Sequence, residues 1–343
     1  MVVNRIPSSS PEIDPVSGPE QPFWSVMIPV YNCTAYLKEA LGSVLLQDKG
    51  VADMQIEVVD DCSTDGDVEA LVLLIGNGRV SYFKQSENKG SLRNFETCIN
   101  RAKGKYVHLL HGDDRVEVGF YDEIAGLFDR NPQAGAAFTN FSYIDYQSAT
   151  INITNKKIQK NQGIITDFLY KIAEKQLIQP PAIVVKRTTY ESLGSFYAIH
   201  FGEDWEMWTR IASKYPIAYS PKYLASYRVG HGIGISYKSF LTGQNIIDIT
   251  TVINIIQNYL PVEKRSKLKK ASFSYYAKYC VKIANGLLLQ NKVAAFIQLR
   301  GAWKMDKGII TIYWVLRFYI MYLFRYKEIE QMLKSKKLKK IRT

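Results

Sequence analysis

The sequence lacks a long hydrophobic run and contains few cysteines. No apolar stretch reaches about 18 residues without a charge, which disfavours a standard membrane-spanning helix. The 4 cysteines are scattered with no C-x-x-C pair, so a disulfide scaffold or a zinc ribbon is disfavoured and a reducing compartment is expected. Over 343 residues, 47% hydrophobic and 22% charged side chains are ordinary for one large or two smaller globular domains.

Several common enzyme signatures are also missing. There is no Walker A loop, no G-x-G-x-x-G after a predicted strand, no H-E-x-x-H and no G-x-S-x-G. The sequence therefore lacks the usual signatures of a P-loop kinase, a nicotinamide-dependent dehydrogenase and a serine hydrolase. No residue pattern in the sequence indicates an enzyme nucleophile.

The positive charge is confined to the end of the chain. The net charge is +12, but residues 262–343 contain 20 Lys and Arg against 4 Asp and Glu, a net +16. Residues 1–261 therefore carry a net −4. Nucleic acid binding by the main body is not expected, because nucleic-acid-binding domains carry a basic patch. Binding through the tail alone is a minor alternative, and it predicts affinity that falls steeply with salt.

The chain is predicted to have three parts. Residues 1–22 contain five prolines and no apolar periodicity, which predicts a disordered extension; without an apolar h-region it is not a secretory signal. Residues 23–238 alternate short apolar runs with amphipathic stretches, which predicts an α/β domain with a largely parallel sheet. Strand signals then fade, and residues 239–343 are predicted to form a basic helical region.

Two predicted strands end in paired aspartates, Asp60-Asp61 and Asp113-Asp114. Ligands of parallel sheets bind outside the carboxyl ends of the strands, so both pairs are expected to face one crevice. Carboxylates there suit a nucleoside or a divalent cation such as Mg²⁺ or Mn²⁺. The structural alternatives are a polar turn for the first pair and helix N-terminal acids for the second.

Two further segments carry groups that suit catalysis. Glu203 and Asp204 open a predicted helix, where they provide either a general base with a neighbouring carboxylate or ordinary first-turn acids. Arg228 and His231, in a glycine-containing loop, offer a cation and an imidazole to a pyrophosphate and its metal, or are simply solvated. His108 is predicted to point away from His111 on its strand, so the two are not expected to share a metal.

In this order, the motifs resemble glycosyltransferase family 2, an inverting family with the GT-A fold, of the bacterial surface-polysaccharide type. The matching segments are VMIPVYN (26–32), VDDCSTD (59–65), NKG with RN (88–94), LHGDD (110–114), GSF (194–196) and GED (202–204). The resemblance implies a Rossmann-like, mostly parallel sheet flanked by helices, followed by a C-terminal helical extension.

The resemblance also implies roles for individual residues. Nucleotide binding is expected from six side chains: Pro29, Tyr31, Asn32, Asp61, Arg93 and Asp113. The metal, Mg²⁺ or Mn²⁺, is expected on three: Asp113, Asp114 and His231. Asp204 is the expected catalytic base, with Glu203 beside it. His111 replaces the first aspartate of the usual D-x-D-D, which leaves more of the metal binding to Asp114.

The end of the chain favours attachment to a membrane surface. Residues 308–324 are 17 apolar and aromatic residues interrupted only by Arg317, and residues 325–343 contain eight Lys and Arg against two Glu. An apolar aromatic helix joined to a polybasic tail suits peripheral binding to an anionic cytoplasmic leaflet. The alternative is a helix packed on the catalytic domain with a solvated tail.

The expected function follows from these parts. It is inverting transfer of a hexosyl or N-acetylhexosaminyl group from a nucleotide-diphospho-sugar, a UDP-sugar, to a hydroxyl of a glycan or lipid-linked acceptor. The expected location is the inner face of the plasma membrane. The alternative is a protein that binds a nucleotide-sugar without turnover, since His111 weakens the metal motif.

Overall fold

The computed structural model describes residues 4–16, 18, 21–152, 157–230 and 234–326. The chain divides into two compact units. The first unit comprises Met1–Ile172 and Gln176–His231, and the second comprises Ala173–Lys175 and Gly232–Thr343. The units separate at 231/232, whereas the sequence predicts a boundary at 238/239.

The elements that precede the unit boundary alternate along the chain. The strands are β1 (Trp24–Val30), β2 (Met54–Asp60), β3 (Ser81–Lys84), β4 (Tyr106–Leu109), β5 (Arg115–Val116), β6 (Ala136–Ile144), β7 (Thr150–Asn152), β8 (Gly163–Ile164), β9 (Ile183–Lys186) and β10 (Ile217–Arg228). The helices are α1 (Thr34–Leu45), α2 (Val68–Gly76), α3 (Ser91–Arg101), α4 (Phe120–Arg130), α5 (Phe168–Glu174), α6 (Arg187–Leu193) and α7 (Glu203–Lys214), with a short 3₁₀ helix at Pro180–Ala182.

One sheet organises the first unit, with strand order β3-β2-β1-β4-β9-β6-β10-β5. Strand β1 pairs in parallel with β2 and β4, β2 with β3, and β6 with β10, whereas β9 and β5 pair antiparallel. All seven residues of β1 are buried, since α1 and α3 contact it. The predicted α/β class with a largely parallel sheet is confirmed.

Residues 4–16 lie on the first unit without forming a helix or a strand. Ile13 is buried, and Pro11 O accepts a hydrogen bond from the N–H of Ser195 (2.8 Å). Gly194 permits this approach, because a Cβ at this position would collide with Pro11 O. The φ of +77° at this residue also favours glycine. The predicted disorder is therefore corrected for residues 4–16, which are held by long-range bonds that local periodicity does not reveal.

The second unit is helical over its described residues, as predicted. Its helices are α8 (Ile235–Thr242), α9 (Gln244–Ile256), α10 (Val262–Leu287), α11 (Lys292–Met305) and α12 (Ile309–Leu323), with a 3₁₀ turn at Gln257–Tyr259. Helices α10, α11 and α12 share one apolar core, to which α12 contributes Val315 and Phe318. None of the described helices is long and apolar enough to cross a membrane.

Candidate active site

Both predicted aspartate pairs lie at one edge of the sheet, where β2 and β4 end. The N–H of Asp61 donates to Val30 O (2.8 Å), and the N–H of Gly112 donates to Pro29 O (3.2 Å). The loops after β2 and β4 are thus both tied to the carboxyl end of β1, which lies between these two strands. This is the edge at which parallel α/β sheets bind ligands.

The Asp61 carboxylate holds a turn together. It accepts hydrogen bonds from the N–H of Lys89 (2.7 Å), the N–H of Gly90 (2.8 Å) and Nδ2 of Asn88 (3.0 Å). Burial raises the pKa of Asp61, although the two N–H groups act in the opposite direction. Asp61 therefore positions the Asn88–Gly90 turn, and its nucleotide contact stays a prediction.

The other residues predicted to line the nucleotide pocket follow β1. Asn32 has a φ of +52°; its Oδ1 accepts from the N–H of Thr64 (2.8 Å), and its N–H donates to Ser63 Oγ (3.0 Å). Tyr31 is 50% exposed, so its ring is available to a ligand. Pro29 is buried in β1. The structure thus brings Tyr31, Asn32 and the loop after β2 together.

A second cluster, at the end of β4, suits a metal. Candidate ligand atoms of His111, Asp113 and Asp114 lie within 4.8 Å of one another. Asp114 is 2% exposed; Oδ1 accepts from the N–H of Arg228 (2.8 Å), but buried Oδ2 has no hydrogen-bond partner among the described residues. Burial and the charge of Asp113 raise the pKa of Asp114 well above its ordinary value. Since such a group is costly without a partner, the cluster fits Mg²⁺ or Mn²⁺.

His111 is a candidate metal ligand that sequence reasoning missed, because it was treated only as a substitution in the aspartate motif. Its ring stacks on Phe95, with centroids 5.1 Å apart and planes at 12°. His108 lies elsewhere, as expected: it is buried, with ring nitrogens near the Tyr121 hydroxyl (3.2 Å) and Pro181 O (3.1 Å).

Arg228 holds the loop that carries the candidate metal ligands. It is buried, and Nε donates to Asp113 O (2.7 Å) while its N–H donates to Asp114 Oδ1. Its guanidinium also donates to Asp145 O (2.6 Å) and to Glu39 Oε2 (2.6 Å). The sequence had suggested that Arg228 could meet a pyrophosphate, but the structure directs its guanidinium to groups of the protein.

Asp204 occupies the first turn of α7, beside Glu203. The helix follows Gly202, whose φ of +90° favours glycine. Asp204 Oδ1 accepts from the N–H of Trp205 (2.7 Å), which favours the ionised carboxylate. Burial nevertheless raises the pKa of Asp204 to about 6. A carboxylate with such a pKa is well matched to general-base chemistry near neutral pH.

Tyr227 connects the two sets of carboxylates. Burial raises the pKa of its phenol well above the ordinary value, and the negative charges of Asp114, Asp204 and Asp113 add to this effect. The candidate base and the candidate metal ligands are therefore close enough to the same phenol for their charges to act on it. Sequence reasoning did not single out Tyr227, since nothing in the local pattern places it near Asp113 and Asp114, more than 100 positions earlier in the chain.

The predicted roles of two further site residues are not tested by these clusters. Arg93 lies on α3, where Nε donates to Asn4 O (2.9 Å) and Nη1 to Glu96 Oε2 (2.7 Å). Its contact with a nucleotide stays a prediction. His231 lies outside the described residues, so its predicted role at the metal also stays a prediction.

Two solved structures resemble this chain in fold. S. aureus TarS 1–349 in complex with UDP-GlcNAc matches with a TM-score of 0.64 and 16% identity, over 81% of this chain and 79% of that chain. The mannosyltransferase PcManGT of Pyrobaculum calidifontis, in complex with GDP-Man and Mn²⁺, matches with a TM-score of 0.52 and 16% identity, over 85% and 90% of the two chains. The sheet, the aspartates at its strand ends and these neighbours define a GT-A glycosyltransferase fold.

The sequence comparison identifies the family. Residues 25–172 match the family model described as glycosyl transferase family 2. A glycosyltransferase of Mycoplasma genitalium, MG025, is 33% identical over 122 residues, which are 35% of this chain and 41% of that protein. The chain thus spans only about two fifths of this relative's length. Residues 25–172 therefore form a glycosyltransferase family 2 domain, as the motifs indicated.

Proposed function

We propose that this chain is an inverting glycosyltransferase that moves a sugar from a nucleotide-diphospho-sugar to a hydroxyl of a glycan or lipid-linked acceptor. The observation that supports this proposal is that the charges of Asp204, Asp113 and Asp114 all act on the Tyr227 phenol and raise its pKa, which requires the three carboxylates to lie in one neighbourhood. A base and a diphosphate-binding site must be close together, because the acceptor oxygen attacks the same carbon from which the diphosphate departs.

Asp204 is the proposed general base. Its carboxylate takes the proton of the acceptor hydroxyl while that oxygen bonds to the anomeric carbon and the bond to the diphosphate breaks. Its raised pKa favours proton uptake, and the N–H of Trp205 orients it. Glu203, beside it in the first turn of α7, is the second proposed catalytic residue. No covalent intermediate is needed, so the product has the inverted anomeric configuration.

Donor binding is assigned to the loops that follow β1, β2 and β4. Asp61, Tyr31 and Asn32 form the proposed nucleoside side of the site. His111, Asp113 and Asp114 are the proposed metal ligands. When bound there, Mg²⁺ or Mn²⁺ supplies positive charge to the departing diphosphate.

The donor is proposed to be a UDP-sugar carrying a hexosyl or N-acetylhexosaminyl group. TarS, a neighbour of the same fold, was solved with UDP-GlcNAc, which supports this choice, whereas PcManGT was solved with GDP-Man. Both donors therefore belong in the first test.

The second unit is proposed to bind an anionic membrane at the inner face of the plasma membrane. Helix α12 buries Thr311, Val315 and Phe318, in the pattern expected of a packed helix. Its other side is apolar but exposed, through Ile309, Ile310, Tyr313, Leu316, Ile320 and Leu323. Packing on the unit and contact with lipid are thus compatible, because they use different faces of α12. An exposed apolar helix face beside basic residues suits the lipid headgroup region.

The first test is a donor screen. UDP-sugars and GDP-mannose are added to the full chain with Mn²⁺, and the shift of the melting temperature identifies the donor. Wild-type protein is then assayed for sugar release and transfer with that donor. Binding together with turnover supports the proposal. Binding without turnover, for every acceptor tried, supports the alternative of a nucleotide-sugar-binding protein.

A further inference from the structure

The segment formed by residues 4–16 precedes the region that matches the family model, and it contacts the Asn88–Gly90 turn and the helices α6 and α7. Its first contact is at the Asn88–Gly90 turn. Arg5 Nη2 donates to Asn88 O (3.0 Å), and the stem of Arg5 lies on Gly90, where a Cβ would be 3.3 Å from Arg5 Cβ. Arg5 therefore packs on the turn that Asp61 holds.

The same arginine also acts on Asp61 through its charge. The N–H of Gly90 and Nδ2 of Asn88 both donate to Asp61 Oδ2. The positive charge of Arg5 favours the ionised form of the Asp61 carboxylate, against the effect of burial. Arg5 thus supports both the geometry and the charge of the proposed nucleoside contact.

A second set of contacts anchors the segment at its other end. Ser10 Oγ donates to Leu193 O (2.8 Å), and Arg210 of α7, the helix that carries Asp204, donates from Nη1 to Ser10 Oγ (2.6 Å). Further along, Asp14 O accepts from Arg187 Nη2 (2.7 Å). These bonds keep the segment in place, so Arg5 is presented to the turn by an anchored chain.

We propose that residues 4–16 are part of the donor site and that Arg5 is a positioning residue, which holds the Asn88–Gly90 turn and Asp61 in the arrangement that binds the nucleoside of the donor. The inference rests on the proposed function, because it assigns Asp61 to that nucleoside. It adds a contribution from a segment that precedes the family domain.

The test compares Arg5→Ala with Arg5→Lys and with Arg130→Ala, an exposed arginine at the end of α4. The first readout is amide hydrogen exchange of residues 88–90 in the full chain without ligand. Arg5→Ala is expected to accelerate exchange at Lys89 and Gly90, Arg5→Lys to restore protection in part, and Arg130→Ala to have no effect.

The second readout is the affinity of the full chain for UDP and GDP with Mn²⁺. Loss of one exposed hydrogen bond of ordinary strength predicts about 3- to 10-fold weaker nucleotide binding by Arg5→Ala, with partial rescue by Arg5→Lys. Wild-type affinity and unchanged exchange in Arg5→Ala contradict this inference and leave the proposed function intact. If neither nucleotide binds the wild type, the proposed function fails and this inference fails with it.

Discussion

The two units hold their important side chains in different ways. In the first unit, Asp61, Asp114 and Asp204 each accept a hydrogen bond from a backbone N–H, so each carboxylate has a fixed direction. In the second unit, the notable side chains are the exposed apolar residues on one side of α12. The opposite face of this helix packs on the unit, and this packing turns the apolar side outward. Chemistry at a reacting atom requires fixed groups, whereas adsorption to a fluid surface requires only area.

This contrast predicts that single substitutions act strongly in the first unit and additively in the second. The largest expected effect is that of Asp204→Asn. The variant keeps the shape and the hydrogen bond to Trp205 but cannot take a proton, so kcat is expected to fall about 10²- to 10⁴-fold. Donor affinity, measured by calorimetry, stays at the wild-type value.

Asp129→Asn is the matched control, since Asp129 is an exposed acid of α4. It is expected to leave both kcat and donor affinity unchanged. Asp204→Asn with more than a tenth of wild-type kcat would falsify the assignment of the base.

The next effect is on metal affinity. Asp114→Asn retains an acceptor for the N–H of Arg228 but removes the charge of the buried carboxylate. Loss of a residue that only supports a metal ligand typically lowers metal affinity roughly 10- to 100-fold. Loss of a ligand is expected to lower Mn²⁺ affinity by more than this. His111→Ala is expected to weaken Mn²⁺ by a smaller factor. Titration of Mn²⁺ in the presence of UDP measures both. Equal Mn²⁺ affinity in wild type and Asp114→Asn would exclude Asp114 as a ligand.

The third effect is on pH dependence. Because Asp204 must be ionised to act as a base and its pKa is about 6, kcat/KM is expected to fall about tenfold per pH unit below that value. The raised pKa has the opposite consequence for stability: the neutral form is preferred in the folded state, so the contribution of Asp204 to stability increases as pH falls from about 6 toward 4. Thermal unfolding of wild type and Asp204→Asn across this range should diverge as pH rises; parallel curves contradict the raised pKa.

The smallest effects are expected on α12. Leu316→Ser with Ile320→Ser removes two exposed apolar side chains, so binding of the full chain to phosphatidylserine-containing vesicles is expected to weaken about tenfold. The control is Leu73→Ser with Leu74→Ser, an exposed apolar pair on α2 of the first unit. Vesicle sedimentation distinguishes the outcomes, and equal losses in both double variants mean that α12 is not the lipid-binding face.

Much of the fold and part of the site were predictable from local patterns. The buried run of β1 and the aspartates after β2 and β4 are contiguous in sequence, and parallel-sheet geometry then places them at one edge. The periodicity of α10 and α11 likewise predicted the helical second unit. The side of α12 that is buried could not be read from a helix that is apolar nearly all round.

The remaining features depend on contacts between distant parts of the chain. Arg228 reaches the metal-binding loop across 114 positions, and Arg5 reaches the Asn88–Gly90 turn across 83. Neither contact has a local signature, because Arg228 reads as part of a glycine-containing loop and Arg5 as part of a proline-rich extension. His111 was set aside for a different reason: the expected motif has an aspartate there, although imidazole is itself a common ligand of transition metals.

The most direct test of the account is the stereochemistry of the transferred sugar. The proposed mechanism uses one carboxylate base and no enzyme nucleophile, so an α-linked donor must give a β-linked product. Nuclear magnetic resonance of the first product formed by the full chain, with the donor identified in the screen, gives the anomeric configuration directly. Inversion is the predicted result, and retention of the donor configuration would contradict the role of Asp204 and the proposed mechanism.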